Sequence, residues 1–166
     1  VAGQQTVQMQ YTYDVVGQVT RKIEAVAGVA RTYDYTYDVD GQLTQVLQDD
    51  AIVERYTYDA NGNRLSRQLG GNAAENATFD AQDRLLQQGA VAYQFDSDGF
   101  LARRGADSFT YSARGELLRA TVGGQTTTYS YDGMGRQVGR NISTGATQYL
   151  YGDPGNAFLL TAVRDA

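Results

Sequence analysis

The chain has no cysteine, no histidine and no tryptophan, and it has one proline in 166 residues. Without cysteine and histidine it lacks a thiol nucleophile, the usual zinc ligands and the usual general base near neutral pH. The absence of cysteine fits a reducing cytoplasm, and it equally fits an exported bacterial protein that never relied on disulfides. It therefore excludes familiar kinds of catalytic site without assigning a compartment.

Positive charge and long apolar runs are also scarce. The 14 basic residues face 19 acidic residues, which gives a net charge of -5, and no basic block stands out. Binding through nucleic-acid phosphates needs a positive face, so we expect no nucleic-acid partner. No apolar run is long enough to span a bilayer, and no charged-then-apolar leader opens the sequence given, so we expect no membrane insertion by this segment. The 42% hydrophobic content suffices for one globular domain with a core.

Glycine and tyrosine are abundant, with 19 and 13 copies, and this bias reflects an internal repeat. Aligned on an aromatic residue that normally precedes an acid, the chain contains eight copies at spacings of 16 to 24 residues. The aligned residues are Tyr13, Tyr37, Tyr58, Phe79, Phe95, Tyr111, Tyr131 and Tyr151. Two positions earlier, seven copies have a second aromatic residue: Tyr11, Tyr35, Tyr56, Tyr93, Phe109, Tyr129 and Tyr149.

After the aligned aromatic residue, six copies have Asp, and seven have Gly three positions later. Asp-x-x-Gly between two alternating runs predicts a turn, because the carboxylate caps backbone amides and glycine adopts the left-handed conformation. A type I turn followed by a left-handed residue joins the strands of a common hairpin, so each copy is predicted to be a β-hairpin. The clearest turn residues are Asp14, Gly17, Asp38, Gly41, Asp59, Gly62, Asp96, Gly99, Asp132 and Gly135.

Counting outward from these turns predicts which residues lie opposite each other on the two strands. Aromatic residues then face aliphatic residues in four copies: Tyr13 with Val19, Tyr37 with Leu43, Phe95 with Leu101, and Tyr111 with Leu117. The next pairs in these copies are Tyr11 with Arg21, Tyr35 with Gln45, Tyr93 with Arg103, and Phe109 with Arg119. An extra loop residue in "DANGNRL" and "DGMGRQV" predicts Tyr58 with Leu65, Tyr56 with Arg67, Tyr131 with Val138, and Tyr129 with Arg140.

These pairs place an aromatic and aliphatic stripe, with a cation or amide at its end, on one face of each hairpin. Thr12, Thr36, Thr57, Thr110 and Ser130 fall on the opposite, wet face. The stretches "AGVA", "QDDA", "LGGN", "GGQT" and "STGA" read as return turns between hairpins. The prediction is an all-β meander of roughly sixteen short strands in tandem antiparallel hairpins.

A twisted open sheet rarely exceeds about ten strands without curling or splitting, so we expect the continuous sheet to coil, to close or to belong to a larger structure. Both chain ends fall inside unfinished copies, which predicts a fragment of a longer polypeptide. We expect one repeat array over 1–166 with copies at 1–32, 33–55, 56–76, 77–92, 93–108, 109–127, 128–147 and 148–166.

The repeat resembles the YD repeats of the RHS and teneurin family. The stretches "YTYDVDGQLT", "YTYDANGNRLS" and "YSYDGMGRQV" are close to that family's consensus, and the resemblance covers nearly the whole chain. "QYLYGDPGNAFLLTAV" resembles the passage from repeats to the core-associated region in bacterial members. The resemblance implies a sheet that spirals into a large hollow β-shell. In bacterial members, including toxin-complex subunits, the shell encloses a C-terminal toxin; in animals it belongs to a cell-surface adhesion protein.

The resemblance therefore implies a non-catalytic shell segment of a secreted or surface bacterial protein, which encapsulates or presents a C-terminal toxin or effector. Its partner is the rest of its own polypeptide, and no cofactor is expected. Family members that release cargo use an aspartate-dependent self-cleavage in the core region. "GDPGN" at 152–156 departs from the Asp-Pro-x-Gly motif of that region, so this activity is not transferred to the chain.

Two surface features have functional alternatives. The aromatic columns are either a sugar-stacking surface or an internal ladder, and the arginines either bind an acidic glycan or cargo or stack along the sheet. The candidate ligand-facing or cargo-facing residues are Tyr11, Arg21, Tyr56, Arg67, Tyr93, Arg103, Arg119, Tyr129 and Arg140. "DVDG", "DSDG" and "DANG" look like the opening of a calcium loop, but no bidentate Glu follows consistently, so turn capping is preferred and no metal site is predicted.

Two other functions stay open beside the shell. "YQFDSDGFLARRG" at 93–105 resembles the aromatic hairpin repeats of choline- and glucan-binding proteins, which favours a carbohydrate-binding or cell-wall-binding module. Those repeats rely on tryptophan, which this chain lacks. Exposed sheet edges alternatively favour self-association into a surface fibre. No pair of carboxylates is placed for acid and base catalysis, so we predict that this segment is not an enzyme.

Overall fold

The computed structural model describes residues 7–165, and every regular element in that range is a β-strand. Sixteen strands follow one another along the chain, in agreement with the predicted all-β meander. By its internal contacts the chain divides into two compact units, one up to residue 90 and one from residue 91 onward. The boundaries proposed between the eight copies stay a prediction.

The first unit contains eight strands, and each strand pairs antiparallel with the next one along the chain. The strands are β1 (Val7–Tyr13), β2 (Val19–Val26), β3 (Val29–Tyr37), β4 (Leu43–Gln48), β5 (Ala51–Tyr58), β6 (Arg64–Leu69), β7 (Glu75–Phe79) and β8 (Leu85–Gln88).

The second unit repeats this arrangement with eight further strands, again paired antiparallel in chain order. They are β9 (Val91–Phe95), β10 (Leu101–Arg104), β11 (Asp107–Tyr111), β12 (Leu117–Val122), β13 (Gln125–Tyr131), β14 (Gln137–Ile142), β15 (Gly145–Leu150) and β16 (Ala162–Asp165).

The predicted return turns between hairpins are confirmed. Ala27 and Gly28 join β2 to β3 with φ values of 50° and 82°, and Asp49 and Asp50 join β4 to β5 with 48° and 65°. Positive φ at both central residues is the signature of the type I′ turn, whose twist matches that of the flanking strands. Gly123 and Gly124, in "GGQT", follow the same rule with 57° and 79°.

Seven hairpins share a β-bulge just beyond the turn. The residue five positions after the acid lies opposite the aromatic residue, as in Tyr37 with Leu43, and the next residue has no partner in the register. The residues skipped in this way are Thr20, Thr44, Leu65, Leu86, Ala102, Leu118 and Val138. A bulge shifts every later pair by one residue, so a count with strict period 2 fails beyond it.

The bulge decides which predicted pairs are correct. Tyr13 with Val19, Tyr37 with Leu43, Phe95 with Leu101, Tyr111 with Leu117, Tyr56 with Arg67, and Tyr129 with Arg140 are confirmed. The pairs of Tyr11 with Arg21, Tyr35 with Gln45, Tyr93 with Arg103, and Phe109 with Arg119 were wrong: the partners are Lys22, Val46, Arg104 and Ala120. Tyr58 and Tyr131 face Arg64 and Gln137, not Leu65 and Val138, because the turn gains no residue.

The two faces of the sheet differ as predicted. Residues directly opposite on antiparallel strands project to the same face. The aromatic columns are half-buried from Tyr35 onward, whereas Thr12, Thr36, Thr57, Thr110 and Ser130 on the other face are exposed. Arg21, Arg103 and Arg119 lie opposite Thr12, Gln94 and Thr110, so these three arginines belong to the polar face, away from the tyrosines.

Burial is shallow throughout the described range. Its buried apolar residues are Val46 and Ala120, each 8% exposed. Each lies opposite an aromatic residue, Tyr35 and Phe109 respectively. The aromatic face is therefore a half-covered layer, and much of the local order has to come from hydrogen bonds between and within hairpins.

Candidate functional site

The aspartates of the repeat are held inside their own turns. The Asp38 carboxylate accepts backbone N–H groups from Asp40 and Gln42 through one oxygen, at 3.0 and 2.8 Å. The Asp38 N–H in turn donates to the Gln42 carbonyl at 3.0 Å. The same two-amide arrangement recurs at 2.8–3.1 Å in Asp14, Asp59, Asp80, Asp96 and Asp132. The predicted capping role is confirmed.

The sixth copy preserves the turn with a different group. Ser112 stands in the acid column, and its hydroxyl oxygen accepts the N–H groups of Arg114 and Glu116 at 3.2 Å each. Six of the seven glycines in the glycine column adopt the predicted left-handed conformation, with φ between 77° and 90°, whereas Gly155 does not. In the copy without this glycine, Asp83 also adopts a positive φ of 59°, and its carboxylate accepts the side-chain amides of Asn61 and Asn63 at 2.9 and 2.6 Å.

Several of these carboxyl groups are stabilised in the charged form. For Asp132, the bond from the Arg136 side chain is the largest cause that lowers the pKa, aided by backbone amides and opposed by partial desolvation. For Asp59, the Asn63 side chain has the same leading role and again lowers the pKa. A carboxyl group held in its charged form has no proton to donate, so these aspartates are poorly suited to act as general acids. Between residues 7 and 165 no three acidic side chains approach closely enough to share a metal ion.

Four of the aligned tyrosines use their hydroxyls to join successive hairpins. Tyr37 donates to the Val19 carbonyl at 2.9 Å, and Tyr58 donates to the Leu43 carbonyl at 2.8 Å. Tyr131 and Tyr151 repeat this bond with Leu117 and Gln137 at 3.1 and 3.0 Å. In each case the acceptor belongs to the preceding hairpin. Burial raises the pKa of Tyr58 and Tyr131, which keeps these phenols protonated as donors.

A further contact involves the residue directly after the turn glycine, here called the post-glycine residue. Gln18 donates its side-chain amide to the Gly41 carbonyl at 3.3 Å, so it reaches the glycine of the following hairpin. Phe100 stacks on Tyr111 with ring centroids 5.0 Å apart and lies against Gly115. Arg136 lies over the Tyr151 ring at 4.8 Å and donates to the Ala157 carbonyl.

Sequence reasoning missed this contact, because the post-glycine residue is Gln, Asn, Arg, Phe or Glu in different copies and forms no visible column. When the copies are aligned on their turns, one usable signal is visible: a polar or aromatic side chain follows the glycine directly in six copies and follows Asp83 in a seventh.

The candidate ligand-facing residues do not form one row. Tyr56 and Arg67 lie opposite each other, as do Tyr129 and Arg140, and Arg67 also approaches Glu54 at 3.8 Å. Tyr93 lies opposite Arg104, which is bound to Asp107 at 2.9 Å. Tyr11 is 47% exposed beside Lys22, while Arg21 is bound to Asp34 at 2.6 Å on the polar face. Binding of a ligand or cargo by these residues stays a prediction.

One shallow cavity of about 420 Å³ opens on the aromatic face of the first unit. Its lining includes Lys22, Tyr33, Tyr35, Glu54 and Tyr56. Lys22 lies 4.1 Å from the centre of the Tyr33 ring and 2.8 Å from the Glu24 carboxylate, so its charge is compensated. The cavity offers aromatic surface with paired charges, which suits contact with a neutral polar surface better than catalysis.

Across the whole sequence, residues 1–166, the family model that matches is the Teneurin YD-shell. The chain belongs to the Teneurin YD-shell family. The RHS and YD-repeat resemblance is thereby confirmed, and the repeated hairpins are structural units of a YD shell. Within the described part of this YD-shell chain there is no helix long and apolar enough to cross a membrane.

Relatives of this YD-shell chain occur in animals and bacteria. It is 40% identical to Teneurin-3 of Danio rerio over 148 residues, which cover 85% of the chain and 6% of that protein. It is 28% identical to the tRNA3(Ser)-specific nuclease WapA of Bacillus spizizenii over 109 residues, which cover 62% of the chain and 5% of that protein. The YD-shell chain thus corresponds to a small part of each relative.

A solved structure shows the same fold. The crystal structure of TcdB2-TccC3-Cdc42 superposes with a TM-score of 0.65 at 16% identity, over 89% of this chain and 10% of the matched chain. At that identity the match concerns the fold of the YD-shell segment. It confirms that hairpins of this kind occur as a small part of much longer chains.

Proposed function

We propose that this chain is a non-catalytic wall segment of a YD shell in a secreted or surface bacterial protein, and that the shell encapsulates or presents a C-terminal toxin or effector of the same polypeptide. The observation that carries the proposal is how the repeated groups are used. The aspartates bind amides of their own turns, and four tyrosine hydroxyls bind the preceding hairpin. Groups that could act on a substrate therefore maintain the wall instead.

The enclosing role has two supports. The aromatic face is half-buried with little covering it, as expected of a layer that turns toward other parts of a longer chain. The relative WapA is named as a nuclease, and this chain matches 5% of its length. Most of that protein therefore lies outside the matched part. The wall would then separate such a cargo from the surroundings until its release.

Protease protection in the full-length parent protein tests the proposal. With the wall intact, the segment C-terminal to the shell should resist a protease that digests it readily once separated. Replacing Asp38 and Asp59 with Ala removes four amide contacts and should make that segment sensitive. Asp40→Ala, in the same turn as Asp38, is the matched control. Rapid digestion of that segment in the parent protein, in the double variant and in the control alike would refute encapsulation. Hydrolytic activity of the separate 166-residue chain would refute a non-catalytic wall.

Carbohydrate binding is the second candidate, because the cavity on the first unit places Tyr33, Tyr35 and Tyr56 along one opening. Sugar rings stack on such aromatic surfaces. A polysaccharide pull-down should then retain the chain, and Tyr56→Ala should abolish retention while Thr57→Ala, on the opposite face, should not. The predicted pair Tyr93→Ala and Tyr129→Ala examines the second unit in the same assay. No retention by any cell-surface polysaccharide would eliminate this candidate.

A further inference from the structure

Asparagine precedes glycine at one place in the sequence, and that place is a turn of the repeat. Asn61 and Gly62 are the third and fourth residues of the turn that begins at Asp59, and both are exposed. An Asn–Gly bond is labile, because glycine has no side chain to hinder the approach of its backbone nitrogen to the asparagine side chain. This turn therefore contains a site where the chain can lose an amide spontaneously.

The reaction at this bond needs only water. The Gly62 backbone nitrogen loses its proton and bonds to the side-chain carbonyl carbon of Asn61, and the bond from that carbon to the side-chain nitrogen breaks with release of ammonia. Water then opens the succinimide ring that has formed. Opening at the side-chain carbonyl leaves aspartate, and opening at the backbone carbonyl leaves isoaspartate, in which the main chain is one carbon longer.

In the folded chain both reacting groups are held by hydrogen bonds. The Gly62 N–H donates to the Asp59 carbonyl at 3.1 Å, across the turn. The Asn61 side-chain nitrogen donates to the Asp83 carboxylate at 2.9 Å. The first bond keeps the proton on the attacking nitrogen, and the second fixes the side chain that has to rotate toward it. Both bonds have to break before the ring can close.

The bond to Asp83 is supplied by the next hairpin. Asp83 belongs to the turn between β7 and β8, where it replaces the glycine of other copies and keeps the left-handed conformation with a φ of 59°. Its carboxylate also accepts the Asn63 side-chain amide at 2.6 Å. Asp83 thus binds the residues on either side of Gly62 and holds the Asn–Gly bond from outside its own turn.

We infer that Asn61 is a modification site, at which Asp83 suppresses spontaneous deamidation while the turns of β5–β6 and β7–β8 remain in contact. Separation of the two turns frees the Asn61 side chain, and the reaction then proceeds. The product has a negative charge beside Asp83 in place of an amide donor, so the two turns repel each other. Deamidation therefore makes the separation of these turns permanent, whatever the shell encloses.

Mass analysis of peptides from the folded protein, incubated at mildly alkaline pH, measures deamidation at Asn61. Asp83→Gly removes the carboxylate and introduces the glycine that other copies have, so the left-handed turn is retained. Deamidation at Asn61 should be about five-fold faster in this variant, the factor that one net hydrogen bond supplies. Equal rates in the two folded proteins would overturn the inference.

Asp40→Asn is a matched variant that leaves Asp83 in place. It introduces an Asn–Gly bond in the preceding turn, where Gly41 has a φ of 82° and its N–H makes the same bond across the turn at 3.2 Å. The residue that corresponds to Asp83 is there Gly62, so no carboxylate faces the introduced amide. Position 40 should deamidate faster than Asn61 in the same molecule. A rate at position 40 equal to or below that at Asn61 would assign the protection to the turn alone and overturn the role of Asp83.

A double-mutant cycle tests the consequence of the modification. Asn61→Asp reproduces the deamidated side chain, and two other turns already have an acid at this position, Asp40 and Asp98. Its own turn should therefore tolerate the change. The substitution should lower the urea midpoint of the native chain and leave that of Asp83→Gly unchanged. Equal shifts in both backgrounds would show that the new charge does not act on Asp83, and would overturn the inferred repulsion between the turns.

Discussion

The last two hairpins of the second unit share their tyrosines and differ in their turns. In β13–β14, Asp132 accepts two backbone amides and Gly135 has a φ of 77°. In β15–β16, Gly152 replaces the aspartate, and residues 151–161 form a longer connection that closes where Thr161 donates to the Leu150 carbonyl at 2.8 Å. Tyr151 nevertheless keeps its bond to the preceding hairpin at 3.0 Å.

This difference shows that the tyrosine and the aspartate of the YD motif have separate roles. The tyrosine joins its hairpin to the one before it, whereas the aspartate folds the turn of its own hairpin. The copy in which Gly152 replaces the aspartate changes its turn and keeps its attachment. The sixth hairpin shows the converse substitution, because Ser112 preserves the turn while the neighbouring Tyr111 is held by the Phe100 ring.

The largest effect is expected where the post-glycine residue meets a turn glycine. Gly115→Ala should destabilise the second unit by about 2–3 kcal/mol, since it adds left-handed strain to overpacking against Phe100. A Cβ there would lie 2.8 Å from the Phe100 ring, which is held in place by its stack on Tyr111. Urea unfolding measures the change.

Gly17→Ala is the matched control, because Gly17 has the same conformation and an open Cβ position. It should cost about 1 kcal/mol from strain alone. Equal losses in the two variants would show that contact between hairpins contributes nothing at this position.

Removing a turn carboxylate should have the next largest effect. Asp38→Ala leaves the amides of Asp40 and Gln42 without their acceptor and should lower the free energy of unfolding by about 1–2 kcal/mol. Asp40→Ala, in which the lost carboxylate lies on the exposed side of the same turn, should change it by less than about 0.5 kcal/mol. Chemical denaturation of both variants decides whether the aspartate column acts through capping.

A smaller effect is expected from the tyrosine hydroxyls. Tyr58→Phe and Tyr151→Phe each remove one bond to the preceding hairpin and should cost about 1 kcal/mol. Tyr13→Phe should be close to neutral, because that hydroxyl has no partner in the described chain. A loss for Tyr58→Phe with none for Tyr151→Phe would show that attachment depends on a regular turn after all.

The smallest effect is expected in the dependence of folding stability on pH. The pKa of Asp132 is lowered from its usual 3.8, chiefly by the Arg136 side chain. A lowered folded-state pKa gives stability that is complete above the unfolded-state pKa and is lost as pH falls through the lower, folded-state value. Stability should therefore be flat from neutral pH to about pH 4 and decline below it. Asp132→Asn should show a weaker decline in urea midpoints; an unchanged decline would exclude this carboxyl as a contributor.

The hairpins, their turns and their division into two faces could be predicted because each depends on residues close in sequence. Asp38 and Gly41 lie three residues apart and form their turn with local amides. The register beyond the turn could not be counted correctly, because no particular residue type marks the bulge. The residue without a partner is Thr44 in one hairpin and Leu118 in another. For the same reason, the prediction that Arg21, Arg103 and Arg119 lie opposite aromatic residues was wrong.

The candidate site was predictable to the same extent. That Tyr37 and Tyr58 belong to an internal ladder follows from their column, but their hydroxyl acceptors do not. Val19 and Leu43 lie 18 and 15 residues earlier, and only the pairing of one hairpin against the next brings their carbonyls within reach.

By itself, the sequence determined the repeated hairpin, the family and the absence of thiol and imidazole chemistry, because these depend on composition and on interactions within a few residues. Tertiary structure decided what each tyrosine binds, which side the arginines occupy and how the post-glycine side chains reach the next turn. Those outcomes depend on the bulge and on contacts between hairpins, where a shift of one residue moves a side chain to the other face.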